Sequence, residues 1–163
     1  MTRFGELLRR LISAKVDFIL VGGVAAAAHG SGRGTQDLDI VYRRSPANIA
    51  RLVDAVEGMQ PYLRGAPPGL PFRFDAETVQ AGLNFTLTTA LGWLDLLGEI
   101  TGGGKYEDLE RSAVTIVVFG LPCRVLDLET LHSNEEGNRP AKRFRRCRRV
   151  GVDARSKEEI TAR

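Results

Sequence analysis

Two aspartates separated by one residue, Asp37 and Asp39, have the clearest capacity for chemistry in this chain. They lie in the apolar run DLDIVY (residues 37–42), whose alternating pattern predicts a strand. Because successive side chains of a strand point to opposite faces, both carboxylates share one face, with Cβ atoms about 6 to 7 Å apart. Carboxylate oxygens are preferred ligands of hard divalent cations. Taken alone, two acids at the start of a strand are typical of an exposed sheet edge, whereas unpaired carboxylates on a buried strand are costly unless a metal ion or hydrogen bonds compensate, so both interpretations stay open at this point.

A glycine pair, Gly22-Gly23, precedes the two aspartates and ends the short apolar run Phe18 to Val21. An Ala-rich run and a Gly-broken loop follow, so residues 17 to 43 are predicted to form strand, turn, helix, loop and strand. The start of a helix presents unpaired N–H groups, and two glycines let a phosphate approach the backbone closely. The pattern therefore predicts a phosphate-binding turn that faces a metal-binding pair.

This combination resembles the nucleotidyltransferase fold superfamily, the DNA polymerase beta-like group, whose signature is a Gly-Gly or Gly-Ser turn followed by Asp-x-Asp. The run GGVAAAAHGSGRGTQDLDIVY is similar to minimal prokaryotic members, including the abortive-infection type nucleotidyltransferase toxins. The superfamily's third carboxylate lies on a later strand between apolar residues, and Asp95 in GWLDLL fits that pattern. The resemblance covers roughly Asp17 to Leu131.

The resemblance implies an α/β (α+β) fold with a small mixed, mostly antiparallel central sheet flanked by helices. It also implies an Mg²⁺-dependent enzyme that moves a nucleoside monophosphate from an NTP to a hydroxyl of a tRNA, a protein or a small molecule, releasing pyrophosphate. Asp37 and Asp39 would bind two Mg²⁺ ions, and Asp95 would bind the ion nearest the acceptor or take the acceptor's proton. An antitoxin or another protein partner is a further expectation.

Four further residues are candidates for nucleotide binding. Arg33 lies one short loop before Asp37, where a guanidinium would contact phosphate or orient an aspartate, or would simply be solvated. Thr35 is the second candidate, with a bond to its own loop backbone as the alternative. His29 would contact the nucleotide or bond a carbonyl at the helix end. Lys105 ends a glycine-rich stretch, TGGGK, whose flanking residues do not match a Walker A motif.

The remaining elements must position these side chains. Apolar periodicity predicts an amphipathic helix over residues 3 to 15 and a second helix from Ser45, its N-cap, to about Met59. The segment Pro61 to Pro71 is predicted to be a loop and residues 75 to 81 a short helix. Alternating patterns predict two hairpins, and Asp95 is expected beside the central sheet. The predicted hairpin strands are residues 84–89 with 91–100, and 115–119 with 124–128.

Length and composition predict one globular domain. The chain has 163 residues, of which 43% are hydrophobic and 26% charged. Two cysteines without a paired motif fit a reducing cytosol, so a cytoplasmic protein is expected. No apolar run is long enough for a membrane span, and the run after Arg9-Arg10 is too interrupted for a secretion signal.

The C-terminal segment departs from the rest of the chain. We expect a nucleotidyltransferase-like domain over residues 1–136 and a basic, irregular or disordered tail over residues 137–163. Residues 139 to 163 hold ten basic and three acidic residues, without apolar periodicity. Three explanations stay open: an RNA-binding tail, an inert solvated tail, or a shift of the reading frame near residue 137.

Two other functional classes remain possible on the sequence. The first is a non-catalytic, antitoxin-like module that keeps the fold and binds nucleotide or a partner. The second is an RNA-binding protein that acts through the basic tail. The small size and the departure from the family pattern after Leu131 motivate the first alternative, and the basic tail motivates the second.

Overall fold

The computed structural model describes residues 1 to 137, which form one seven-stranded sheet, one two-stranded sheet and the helices around them. In six of the seven strands of the main sheet, apolar and polar residues alternate or the residues are mostly apolar, as is typical of strands. The exception is the shortest, which has two residues. In chain order they are β1 (Phe18–Val21), β2 (Asp37–Tyr42), β3 (Tyr62–Leu63), β4 (Asn84–Thr89), β5 (Gly92–Leu97), β8 (Ala113–Val118) and β9 (Leu121–Leu126).

The main sheet has the order β3-β4-β5-β2-β1-β9-β8. β2 pairs with β5 and β1 with β9 in parallel, whereas the other four neighbouring pairs are antiparallel. The sheet is therefore mixed and mostly antiparallel, which confirms the predicted fold class. A separate antiparallel ladder joins β6 (Glu99–Ile100) to β7 (Gly104–Lys105).

Six α-helices accompany the sheets in the described part of the chain. Ser45 and Asp75 cap two of them, as the sequence predicts, by accepting hydrogen bonds from the N–H groups of Asn48 and Thr78. Such caps satisfy backbone donors that a helix start leaves without an intrahelical partner. The helices are α1 (Phe4–Ser13), α2 (Gly22–Ala28), α3 (Pro46–Glu57), α4 (Ala76–Ala81), α5 (Tyr106–Leu109) and α6 (Leu128–Gly137).

The core lies on the face of β2 and β5 opposite the aspartates. Leu38, Ile40, Leu94 and Leu96 are fully buried and belong to one cluster with the apolar sides of α1 and α3. Because side chains alternate, this packing directs the intervening residues of both strands to the other face. The hydrophobic pattern thereby determines where the carboxylates lie.

The prediction of a loop over Pro61 to Pro71 is wrong at its start. Tyr62–Leu63 forms β3, which pairs with Thr88 and Leu87 of β4. A two-residue strand has no periodicity of its own, and only the free edge of β4 makes it a strand. The hairpins also have different bounds from those predicted. In the first, β5 runs over Gly92–Leu97 and not over residues 91–100. In the second, the strands are Ala113–Val118 and Leu121–Leu126, each beginning before the predicted strand.

Within residues 1 to 137, no helix has the length and apolar character that crossing a membrane would require. The predicted basic tail lies outside the described residues, apart from its first residue, Gly137, at which α6 ends.

Asn48 joins the ends of β1 and β2 to α3. Its fully buried side chain accepts from the N–H of Asp17 and donates to the backbone oxygens of Asp17 and Arg43.

Asn48→Ala leaves these backbone groups without that partner, so we expect the free energy of unfolding to fall by about 2–3 kcal/mol. Urea unfolding measures the change. Gln80→Ala, an exposed helical substitution, is the control, expected within about 0.5 kcal/mol of wild type; an equal change in both variants would contradict the prediction.

Candidate metal centre

Three carboxylates meet at the parallel pair of β2 and β5. The register places Asp39 beside Asp95 and Asp37 beside Trp93. Asp37, Asp39 and Asp95 each offer one carboxylate oxygen, and these oxygens all lie within 4.8 Å of one another. The structure thus brings together the Asp-x-Asp pair and the later acid, and such an oxygen cluster is suited to a divalent cation.

The glycine pair lies directly against this cluster. α2 begins at Gly22, whose φ of 64° favours glycine, and a Cβ at this position would overlap the carboxylate of Asp39. The backbone N–H of Gly23 faces the same carboxylate and partly offsets the rise in the pKa of Asp39. Close approach to the backbone therefore explains the glycines, but the group that approaches is Asp39. Phosphate binding at this turn stays a prediction.

Thr35 and His29 support neighbouring parts of the site. The hydroxyl of Thr35 donates to Oδ1 of Asp37 at 2.9 Å, and a side chain at Gly23 would collide with Thr35. Nε2 of His29 lies 2.8 Å from the backbone oxygen of Leu126, which ties the end of α2 to β9. These contacts orient an aspartate and a helix, whereas direct contact of either residue with nucleotide stays a prediction.

Arg33 and Lys105 lie outside the carboxylate cluster. Arg33 is exposed in the loop between α2 and β2, where its backbone N–H lies 3.4 Å from the hydroxyl of Ser31. Lys105 is exposed on β7 and pairs with Glu99 of β6. Their contact with a nucleotide also stays a prediction.

Arg64 is the residue of the centre that the sequence did not reveal. Its Nη2 lies 2.8 and 2.9 Å from the two carboxylate oxygens of Asp95, and its Nη1 lies 3.7 Å from Oδ2 of Asp37. The guanidinium carbon lies 4.8 Å from the centroid of the Trp93 ring, a cation–π distance. The backbone N–H donates to Thr86 of β4, which fixes the residue just beyond β3.

Only a weak signal in the sequence marks Arg64. It follows Tyr62-Leu63 inside a segment rich in proline and glycine, and an arginine in such a segment is usually solvated. Recognising it would have required the pairing of β3 with β4, which carries the arginine to the same face as Asp95.

Burial and the neighbouring carboxylates raise the pKa of two acids of the centre, Asp39 and Asp95. Burial, followed by repulsion from Asp37 and Asp95, raises the pKa of Asp39 to about 7. Burial also raises the pKa of Asp95, although the guanidinium of Arg64 opposes this shift. With all three carboxylates ionised, the four side chains carry a net charge of −2. This charge and the oxygen donors suit a divalent cation such as Mg²⁺.

A pocket of about 320 Å³ extends from the cluster along the same face of the sheet. Asp39 and Gly22 form part of its wall near the cluster, and the β6–β7 hairpin and α6 contribute its distant parts. The lining residues are mostly apolar, with a few polar groups, which is typical of small-molecule sites. They are Val21, Gly22, Asp39, Asn84, Leu97, Glu99, Ile100, Thr101, Leu126 and Leu131.

The overall arrangement is that of a nucleotidyltransferase-like fold with an acidic cluster at its centre. A similar solved structure is a Thermotoga maritima protein described as a candidate nucleotidyltransferase, with a TM-score of 0.52 and 15% sequence identity. The alignment covers 81% of this chain and 83% of that one. At this identity the likeness establishes the fold. No protein-family model and no curated protein matches the chain.

Proposed function

We propose that this protein is a metal-dependent nucleotidyltransferase. The observation that carries the proposal is the meeting of Asp37, Asp39 and Asp95 within 4.8 Å on two parallel strands of a nucleotidyltransferase-like fold. In the proposed reaction an acceptor hydroxyl oxygen bonds to the α-phosphorus of an NTP. The bond from that phosphorus to the bridging oxygen breaks, pyrophosphate leaves, and the hydroxyl proton passes to a base.

The protein's own residues supply the positions for this reaction. Asp37 and Asp39 would hold Mg²⁺, with the hydroxyl of Thr35 orienting the carboxylate of Asp37. When bound, Mg²⁺ supplies charge stabilisation of the triphosphate and of the leaving pyrophosphate. The pocket beside Asp39 would enclose the nucleoside and exclude water from it.

The finer parts of the proposal concern the acceptor and the biological setting. We extend it to a tRNA end, a protein hydroxyl or a small alcohol as acceptor, in a cytoplasmic protein. We also propose the abortive-infection type branch, because the run GGVAAAAHGSGRGTQDLDIVY resembles its members, and such a branch would imply an antitoxin as partner. Arg33, Thr35, His29 and Lys105 remain proposed nucleotide contacts.

The direct test is labelling of an acceptor. Purified protein is incubated with each of the four α-³²P-NTPs and Mg²⁺, together with total tRNA or total protein, and label transfer and pyrophosphate release are measured. We expect transfer from one preferred NTP and a loss of at least about a hundredfold in Asp37→Asn, because a ligand of the charge-stabilising cation is removed. Asp54→Asn, the same change on the exposed side of α3, is the matched control.

A second candidate, a nucleotide-binding module without catalysis, is favoured by one observation. Arg64 already engages both oxygens of Asp95, the acid expected to serve the acceptor. Mg²⁺-dependent stabilisation by NTP, with no label transferred to any acceptor, would support this module. Stabilisation by no nucleotide in folded protein would exclude both candidates.

A further inference from the structure

The guanidinium of Arg64, itself a cation, lies beside Asp95, where a second metal ion is expected. Resting on the proposed function, we infer that the centre binds a single divalent cation at Asp37 and Asp39, and that the guanidinium of Arg64 permanently supplies the second positive charge at Asp95. The centre would thereby depart from the two-ion arrangement that the family resemblance implies.

The contacts of Arg64 with Asp95 leave that carboxylate little capacity for a metal. One nitrogen, Nη2, lies 2.8 and 2.9 Å from both oxygens. A hydrogen bond between two charged groups is about twice as strong as one between neutral groups, particularly away from water. The side chain of Asp95 is 15% exposed and that of Arg64 22% exposed, so solvent screens the pair only partly. A metal ion at Asp95 would first have to displace this guanidinium.

The surroundings of Arg64 also hold it in place. Its backbone N–H donates to the oxygen of Thr86 at 2.9 Å, and the guanidinium lies over Trp93. A planar guanidinium is well suited to combine a carboxylate contact with stacking on an aromatic ring, which an ammonium does less well. Three separate contacts, to backbone, ring and carboxylate, therefore define the position of this cation.

The charge of the cluster agrees with a single metal ion. With all three carboxylates ionised, they and the guanidinium carry a net charge of −2, which one divalent cation neutralises. A second divalent cation would have to enter a neutral cluster against the charge of both Arg64 and the first ion, which is electrostatically unfavourable.

The test counts Mn²⁺ ions in the nucleotide-free protein. Isothermal titration gives the number bound, and electron paramagnetic resonance shows whether two ions are coupled, as expected for ions about 3.5–4 Å apart. We expect one uncoupled Mn²⁺ in wild type. In Arg64→Gln the freed Asp95 should admit a second ion, giving a stoichiometry of two and a coupled spectrum. Arg64→Lys, which keeps a cation, should remain at one.

Controls separate this inference from the proposed function. Arg51→Gln, the same loss of charge on α3, should bind one ion, and Arg64→Met replaces the Gln variant if circular dichroism shows that variant to be unfolded. A coupled pair in wild type, or a single ion in folded Arg64→Gln and Arg64→Met, would overturn the inference while leaving the metal centre intact. No Mn²⁺ that depends on Asp37, in wild type or in any Arg64 variant, would overturn the metal centre itself.

Discussion

Replacing Asp39 with asparagine is expected to stabilise the metal-free protein above pH 7 and to abolish its Mg²⁺-dependent stabilisation by NTP. The substitution keeps the shape of the side chain and removes its charge, which is buried beside two other carboxylates. Removing that charge relieves repulsion and desolvation, but it also removes a ligand for the cation. The gain in stability is measured without metal, and the loss of stabilisation by ligand is seen only when Mg²⁺ and NTP are added, so the two effects can be measured separately.

The pH dependence of this stabilisation follows from the pKa of Asp39, which is raised from 3.8 to about 7 in the folded protein. Between these values the folded state holds a proton that the unfolded state has lost, so the free energy of unfolding falls as pH rises. Above about pH 7 the carboxylate is charged in both states and its full cost is present. We expect Asp39→Asn to gain roughly 2 to 4 kcal/mol there, after allowance for solvent screening, and much less near pH 4.

Urea unfolding at about pH 8 and about pH 4.5, with chelator present, measures the effect. Asp54→Asn is the matched control, since it removes an exposed carboxylate of α3. Thermal unfolding at pH 8 with Mg²⁺ and each NTP then measures the second effect. Wild type should be stabilised by about 2.7 kcal/mol at ligand concentrations a hundredfold above Kd, and Asp39→Asn should not respond. A destabilised variant at pH 8, or one that still responds to Mg²⁺ and NTP, would contradict the expectation.

The sequence was sufficient to predict the parts of the centre that depend on local pattern. Alternation in residues 37 to 42 placed Asp37 and Asp39 on one face, because the apolar residues between them had to enter the core. The alternating pattern of residues 91 to 100 likewise predicted a strand that contains Asp95, and in the structure this acid lies on the opposite side of β5 from Leu94 and Leu96. Family resemblance, rather than spacing, suggested that this third acid joins the pair.

The parts that the sequence did not reveal depend on contacts between distant segments. Arg64 reaches Asp95 because a two-residue strand pairs with the edge of β4, and no periodic pattern marks so short an element. The glycine pair was recognised, yet its neighbour in the structure is the carboxylate of Asp39. A glycine indicates that some group approaches the backbone, but its identity depends on tertiary pairing, here of β1 with β2 at Val21 and Asp39.

Gly22→Ala is expected to damage both the fold and the metal centre. The residue has a φ of 64°, a conformation that costs an L-amino acid about 1 kcal/mol or more. The added methyl group would also overlap the carboxylate of Asp39 and force it away from Asp37 and Asp95. We expect a loss of about 3 kcal/mol in the free energy of unfolding, the sum of strain and overpacking. Mn²⁺ affinity should fall by at least about tenfold, because coordination requires the carboxylates to stay together.

Gly120→Ala separates the backbone strain from the overlap with Asp39. Gly120 has a φ of 77°, but a Cβ there meets no atom within 4 Å, and the residue lies in the turn between β8 and β9. Its replacement should cost about 1 kcal/mol and leave Mn²⁺ affinity unchanged, because only the conformational strain is shared. Urea unfolding and Mn²⁺ titration of both variants give the comparison. If the two alanine variants instead lose equal stability and bind Mn²⁺ equally well, the prediction is wrong. Gly22 would then be required only for the backbone conformation of the turn, and its close packing against Asp39 would not affect the centre.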